Sequence, residues 1–247
     1  MSLLREVKII FFDVGNVFVS DDPSALFIFR RLYDSMGGSG TISKEEFFAR
    51  RVEYAKQKRG LWAFVRDHLP EGTFEAFQKG TRADLYDQWG IYSPEIPETP
   101  SAARQLATKW RMGIIANQPA QIEGVLRDRN LWNSFGLHII SQIVGCEKPG
   151  QRIFELALEQ AGVAPEQALM VGDRIDNDII PAKRVGMKTL WLSLGYKDRG
   201  WRPADEFESA YVDSLARHDL SLVPPENPEC EPDFMATSAR DLLKILG

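Results

Sequence analysis

At 247 residues the chain is long enough for one large domain or two small ones, either with a substantial core. Its composition, 44% hydrophobic and 26% charged, is ordinary for a soluble globular protein. A net charge of −5 gives no overall pull toward nucleic acid or an anionic membrane, so neither is expected as a partner. Cys146 and Cys230, the only cysteines, lack the close spacing of a zinc site or disulfide framework and imply a reducing compartment.

The first apolar run, Val7–Phe12, is compact, rich in β-branched and aromatic residues, and leads directly into Asp13. It reads as a strand buried on both faces, not as a signal peptide. No stretch approaches the roughly 20 apolar residues of a membrane span, and a cytoplasmic protein is expected.

Residues 20–95 carry helical patterns only. Asp22-Pro23 opens a helix through Tyr33, Ser43 with Glu46 forms a capping box for Glu45–Lys58, and Leu61–Leu69 and Thr73–Trp89 follow. Phe47, Phe48, Trp62 and Phe64 fall at helical spacing and read as the core of this block. Lys56, Lys58 and Arg59 read as a solvated helix end.

From Pro100 onward strands and helices alternate. Strands are expected at Met112–Ala116, Leu137–Ser141, Ala168–Gly172 and Lys188–Leu192. Helices are expected at Thr99–Trp110, Pro119–Asn130, Arg152–Ala161 and Asp178–Val185. That alternation predicts an α/β fold with a doubly wound parallel sheet. Residues 195–228 read as an irregular surface excursion with a short helix near Ala204–Ala216, and Ser238–Leu246 reads as a closing helix. The organisation expected is a discontinuous core, residues 1–19 and 96–247, with an all-helical domain inserted at 20–95.

Asp13 and Asp173 end two different strands, at the edge where open α/β sheets bind ligands. Two carboxylates delivered there could share one hard cation, and Mg²⁺ is commonly held by one or two carboxylates plus substrate oxygens. Asp176 and Asp178 make the loop after Asp173 strongly acidic, which favours a bound cation. Lys148, followed by Pro149, comes after the third strand, where an ammonium could neutralise a phosphoryl group or a carboxylate. His68, His138 and His218 lie far apart with no ligand spacing.

Phe-Phe-Asp13-Val-Gly15-Asn-Val, Gly113-Ile-Ile-Ala116-Asn117, Glu147-Lys148-Pro149 and Val171-Gly172-Asp173-Arg-Ile-Asp-Asn177-Asp178 resemble, in order, the four motifs of the haloacid dehalogenase superfamily. The resemblance runs from Val7 to about Leu194. It implies a Rossmann-like core with a helical cap, and a Mg²⁺-dependent phosphatase for a small phosphorylated substrate. By the same resemblance Asp13 is the nucleophile and forms an aspartyl-phosphate. Asp13, Asp173 and the Gly15 carbonyl hold the metal, Asp178 supports it as a ligand or from behind, and Lys148 bridges nucleophile and phosphate.

Two positions depart from the family pattern. Gly15 stands where phosphatases of the family usually carry a second aspartate as general acid and base, a role worth roughly 10²–10⁴-fold. Ala116 stands where a Ser or Thr usually donates to the phosphoryl oxygen, with Asn117 adjacent as a partial substitute. These departures motivate an alternative, a non-catalytic or very slow member that binds a phospho-ligand or a partner. A metal-free 2-haloacid dehalogenase ranks third, because the acidic loop implies a metal that such an enzyme does not use.

Overall fold

A computed structural model describes residues 4–247. Six parallel strands form one sheet in the order β3-β2-β1-β4-β5-β6: β1 Ile9–Phe12, β2 Arg111–Ala116, β3 Leu137–Ile140, β4 Ala168–Gly172, β5 Lys188–Leu192 and β6 Phe234–Ala236. All four residues of β1 are buried, because its two neighbours and the helices on both faces enclose it. The strand order reverses between β1 and β2 on one side and β4 on the other, which opens the crevice beyond their C-terminal ends.

Four helices follow β1 in the 20–95 block, α1 Asp22–Ser35, α2 Lys44–Lys56, α3 Leu61–His68 and α4 Phe74–Tyr86, before a fifth leads into β2. Ser43 caps α2, its hydroxyl accepting the Glu46 amide at 3.1 Å, which is one half of the expected capping box; the Glu46 carboxylate pairs with Arg50 at 2.8 Å instead of closing the other half. Helices α5 Thr99–Leu106, α6 Ile122–Asp128, α7 Ser141–Val144, α8 Gln151–Ala161 and α9 Ile180–Arg184 alternate with the strands. Helix α5 ends at Leu106, short of Trp110. Residues Ile175–Ile179 form a π-helical turn that precedes α9, where the sequence pattern gave one helix from Asp178.

The tail differs most from the sequence reading. Helix α10, Glu206–Arg217, is not a surface excursion: it packs lengthwise on α2, with Phe207 and Tyr211 buried against Phe47, Phe48 and Phe29. Arg51 of α2 donates to the Ser214 and His218 carbonyls at 3.3 and 3.0 Å and closes the C-terminus of α10. Residues before and after α10 reach into the interior. The Arg199 guanidinium is almost fully buried, paired with Asp22 of α1 at 3.1 Å and with both oxygens of Asp219 at 2.8 Å. Strand β6, three residues long and half-exposed, completes the sheet before α11, Ala239–Leu246, capped by Ser238.

Arg199 therefore ties the tail to α1 through two buried carboxylates. Removing it strands both, and losing one partner of such a network costs about 3–5 kcal/mol. Arg199→Ala should lower the free energy of unfolding in urea by that amount; a loss under about 1 kcal/mol would show the network to be energetically idle.

Candidate active site

Register explains why the acidic side chains meet. Phe12 of β1 lies opposite Val171 of β4, so Asp13 leaves the sheet beside Gly172, the last residue of β4, and one residue before Asp173. The Asp13 amide donates to the Val171 carbonyl at 2.8 Å, which fixes Asp13 against the strand that delivers Asp173. After Asp173 the π-helical turn brings Asp178 back over Gly172. A Cβ on Gly172 would lie 2.4 Å from the Asp178 carboxyl carbon, so this close approach needs a glycine.

Three buried carboxylates, Asp13, Asp173 and Asp178, thereby offer oxygens that all lie within 4.8 Å of one another. The Lys148 ammonium enters this cluster from the β3 side, 2.8 Å from Asp13 Oδ1 and 2.6 Å from Asp178 Oδ1. Asp178 Oδ2 accepts the Arg174 amide at 3.0 Å, so both of its oxygens are engaged by the protein. Asp173 Oδ2 accepts the Ser221 hydroxyl, and the Asp173 carbonyl accepts the Trp191 indole N–H at 2.8 Å.

Asn117 brackets Lys148. Its amide nitrogen donates to the Lys148 carbonyl at 2.8 Å, and its amide oxygen accepts the Lys148 N–H at 2.8 Å. The Asn117 side chain thus orients the lysine rather than replacing the donor missing at Ala116. Ala116 itself is fully buried at the end of β2. Asn117 and Lys148 also line the larger of two cavities described below.

Three carboxylates against one ammonium leave two negative charges uncompensated when all are ionised. The nearby cations are already committed, Arg174 to Asp176 at 2.6 Å and Arg199 to Asp22 and Asp219. Burial pushes Asp13 up to about 7, opposed by the Lys148 charge and reinforced by Asp178. Burial likewise pushes Asp173 up to about 7, with Asp178 and Asp13 adding to it. Burial also works against the Lys148 ammonium, but Asp13 and Asp178 outweigh it and hold it at about 12. A cluster of hard oxygen donors with excess negative charge is the donor set that suits a hard divalent cation.

Two cavities meet above this cluster. One of about 310 Å³ reaches Asp13 and Asp173, and one of about 760 Å³ extends beneath the inserted helices, past Trp62, Arg82, Tyr86 and Trp89. Phe47, Phe48 and Phe64 are buried core, as the spacing suggested, whereas Trp62 is only half-buried and faces the larger cavity. The basic helix end resolves into surface pairs, Lys56 with Glu53, Lys58 with Glu226 and Arg59 with Asp67. Arg59 also borders the smaller cavity.

Asp21, which the sequence reading passed over, lines both cavities. Its Oδ1 accepts the Gln118 amide at 3.2 Å, and burial raises its carboxyl to about 7. The only sequence signal near it was Asp21-Asp22-Pro23, which reads as a helix start. Among the described residues no helix is long and apolar enough to cross a membrane.

A doubly wound sheet with an inserted helical block, a strand-end carboxylate cluster and a buried lysine defines a class of hydrolase. The haloacid dehalogenase-like hydrolase model matches residues 7–186, and the chain belongs to that family. It is 30% identical over 200 residues to the glyceraldehyde 3-phosphate phosphatase of Pyrococcus furiosus, covering 78% of this chain and 83% of the relative. It is 37% identical over 189 residues to the phosphoserine phosphatase of Thermus thermophilus, covering 73% and 74%. The fold is similar to that of the magnesium-bound HAD-hydrolase YfnB of Bacillus subtilis, with a TM-score of 0.66 at 16% identity over 98% and 99% of the two chains.

An acid with a higher pKa folded than unfolded binds more protons when folded, across the interval between the two values. For Asp13 and Asp173 that interval runs from the ordinary 3.8 to about 7. Each costs up to about 1.4 kcal/mol of stability per pH unit as pH rises through it. In chelator-treated protein the thermal midpoint should fall from about pH 5 to about pH 8, and Asp173→Asn should flatten that fall. A midpoint rising over the same range in metal-free protein would contradict the charge imbalance.

Proposed function

We propose that the protein is a Mg²⁺-dependent phosphatase that hydrolyses a small phosphorylated metabolite through an aspartyl-phosphate on Asp13. The observation that carries this reading is the buried Lys148 ammonium within 2.8 Å of Asp13 and 2.6 Å of Asp178. It holds one oxygen of Asp13 in place and sets positive charge beside the point where a phosphoryl group would meet the nucleophile. Relatives named for glyceraldehyde 3-phosphate and phosphoserine support a small phosphate monoester as substrate class.

In this reading Asp13, Asp173 and the Gly15 carbonyl hold the metal, which supplies positive charge against the phosphoryl oxygens when bound. Asp178 is a positioning residue that acts through Lys148, and Asn117 positions the same lysine through its backbone. Ser221 orients Asp173 from the tail. Asp13 attacks phosphorus, the ester oxygen leaves, and water then cleaves the aspartyl-phosphate. Residues 20–95 act as a cap, and their aromatic lining beside Arg82 takes the part of the substrate remote from phosphorus. Ala116 offers no donor to the phosphoryl group, so Lys148 and backbone amides carry that charge.

A panel of phosphate monoesters assayed with MgCl₂ tests the reading. Turnover should vanish with chelator, fall by ~10⁴-fold or more in Asp13→Asn, and fall by ~10²–10³-fold in Lys148→Ala. Equal rates in wild type and Asp13→Asn across the panel would leave the non-catalytic, phospho-ligand-binding reading in its place.

A further inference from the structure

Gly15 leaves its position without an acid or a base, but the space beside it is filled. A Cβ built on Gly15 would lie 2.0 Å from Asp21 Oδ2 and 2.7 Å from the Asp21 carboxyl carbon. A carboxylate from another point in the chain therefore stands where a side chain at position 15 would begin. We propose that Asp21 is the general acid and base of the reaction, supplied from the start of α1 in place of an aspartate at position 15. The inference rests on the phosphatase reading above.

Among the described residues, local structure gives the Asp21 side chain no helix-capping role and no cationic partner. It occupies the N-cap position of α1, where an aspartate normally accepts an amide of the first turn, yet its side chain makes no such bond. The carboxylate turns instead toward the cleft and accepts Gln118 Nε2 at 3.2 Å. The turn that follows Gly15 fixes this arrangement. Asn16, at φ 52°, takes the Asp21 amide on its Oδ1 at 3.2 Å, and Ser24 Oγ donates to the Asp21 carbonyl at 2.8 Å.

Position and pairing separate Asp21 from the other acidic residues near the cleft. It borders the smaller cavity with Asp13 and Asp173, and the larger one with the cap's Trp62 and Arg82, and so stands between nucleophile and leaving group. Asp22, its neighbour, is committed to Arg199, Trp201 and Tyr211. Glu147 borders only the larger cavity and is exposed.

In the first half-reaction the Asp21 carboxylic acid gives its proton to the ester oxygen as that oxygen's bond to phosphorus breaks and the Asp13 O–P bond forms. In the second, the Asp21 carboxylate takes a proton from water as the water oxygen bonds to phosphorus and the Asp13 O–P bond breaks. Inorganic phosphate leaves, and both aspartates return to their starting forms.

The test compares wild type, Asp21→Asn and the double variant Gly15→Asp/Asp21→Gly with Mg²⁺ on two esters. p-Nitrophenyl phosphate has a leaving group that needs no proton, and β-glycerophosphate has one that does. In Asp21→Asn, kcat/KM should fall by ~10²–10⁴-fold for the alkyl ester but by less than about tenfold for the aryl ester. A burst of p-nitrophenol should precede slow turnover, because hydrolysis of the aspartyl-phosphate has lost its base. The double variant, with the carboxyl moved back to position 15, should recover much of the alkyl-ester rate. Equal losses on both esters, or none, would reduce Asp21 to a structural residue and overturn the proposal. Failure of wild type to exceed Asp13→Asn on either ester would instead sink the phosphatase reading beneath it.

Discussion

The buried ion pair of Lys148 with Asp13 and Asp178 is the constraint on which the rest of the site depends. An ammonium placed in a dry interior is tolerated only where carboxylates surround it, and here two carboxylates lie within 2.8 Å. Each arrives from a different part of the chain: Asp13 from the end of β1, Asp178 from the π-helical turn after β4, and Lys148 from the loop before α8. The strand register, the glycine at position 172 and the Asn117 bracket exist in the service of that meeting. Asp173 then adds a third carboxylate that Lys148 does not reach, and the surplus charge sets the demand for a cation.

A second buried charge network, centred on Arg199, does the corresponding work between tail and inserted helices. Asp22 and Asp219 flank the guanidinium, and Tyr211 and Trp201 donate to Asp22 at 2.9 Å each. From Asp219 it is two residues to Ser221, whose hydroxyl reaches Asp173. The tail therefore touches the inserted helices through α10 and the reaction centre through Ser221. The segment from 195 to 228 thereby contacts both the helices after β1 and the carboxylate cluster.

Much of this was legible in the sequence, for physical reasons that differ by element. Three of the four motifs were readable because each follows a strand that is a continuous apolar run and stops at a residue such as Asp13 or Gly172-Asp173, whereas Lys148 lies beyond α7 and was readable only from its Lys-Pro context. The helices between β1 and β2 were readable from their periodicity and from the Ser43 cap. Strand β6 was missed because three residues, with only Ala236 fully buried, are too short to carry a pattern. Helix α10 was seen, but its partner was not, since nothing in Phe207 or Tyr211 says that Phe47 and Phe48 will meet them. Asn117 was expected near the phosphoryl group because it neighbours Ala116, and its side chain instead serves the Lys148 backbone. Asp21 was hidden by its own surroundings, because an acidic residue before Asp-Pro is an ordinary helix start and only the fold reveals that its carboxylate turns away from the helix.

Two departures from the family pattern also look different with the structure in hand. Gly15 is part of a close contact that excludes any larger side chain, so the missing aspartate and the presence of Asp21 are one arrangement. Ala116 is fully buried, and the amide of its neighbour Asn117 is engaged by the Lys148 backbone. The account as a whole stands on a cation shared by Asp13 and Asp173. Calorimetric titration of Mg²⁺ into chelator-stripped protein tests it most directly. One ion should bind per chain, and Asp173→Asn should weaken that binding at least ~10-fold. Absence of saturable binding, or an affinity unchanged by the substitution, would contradict it.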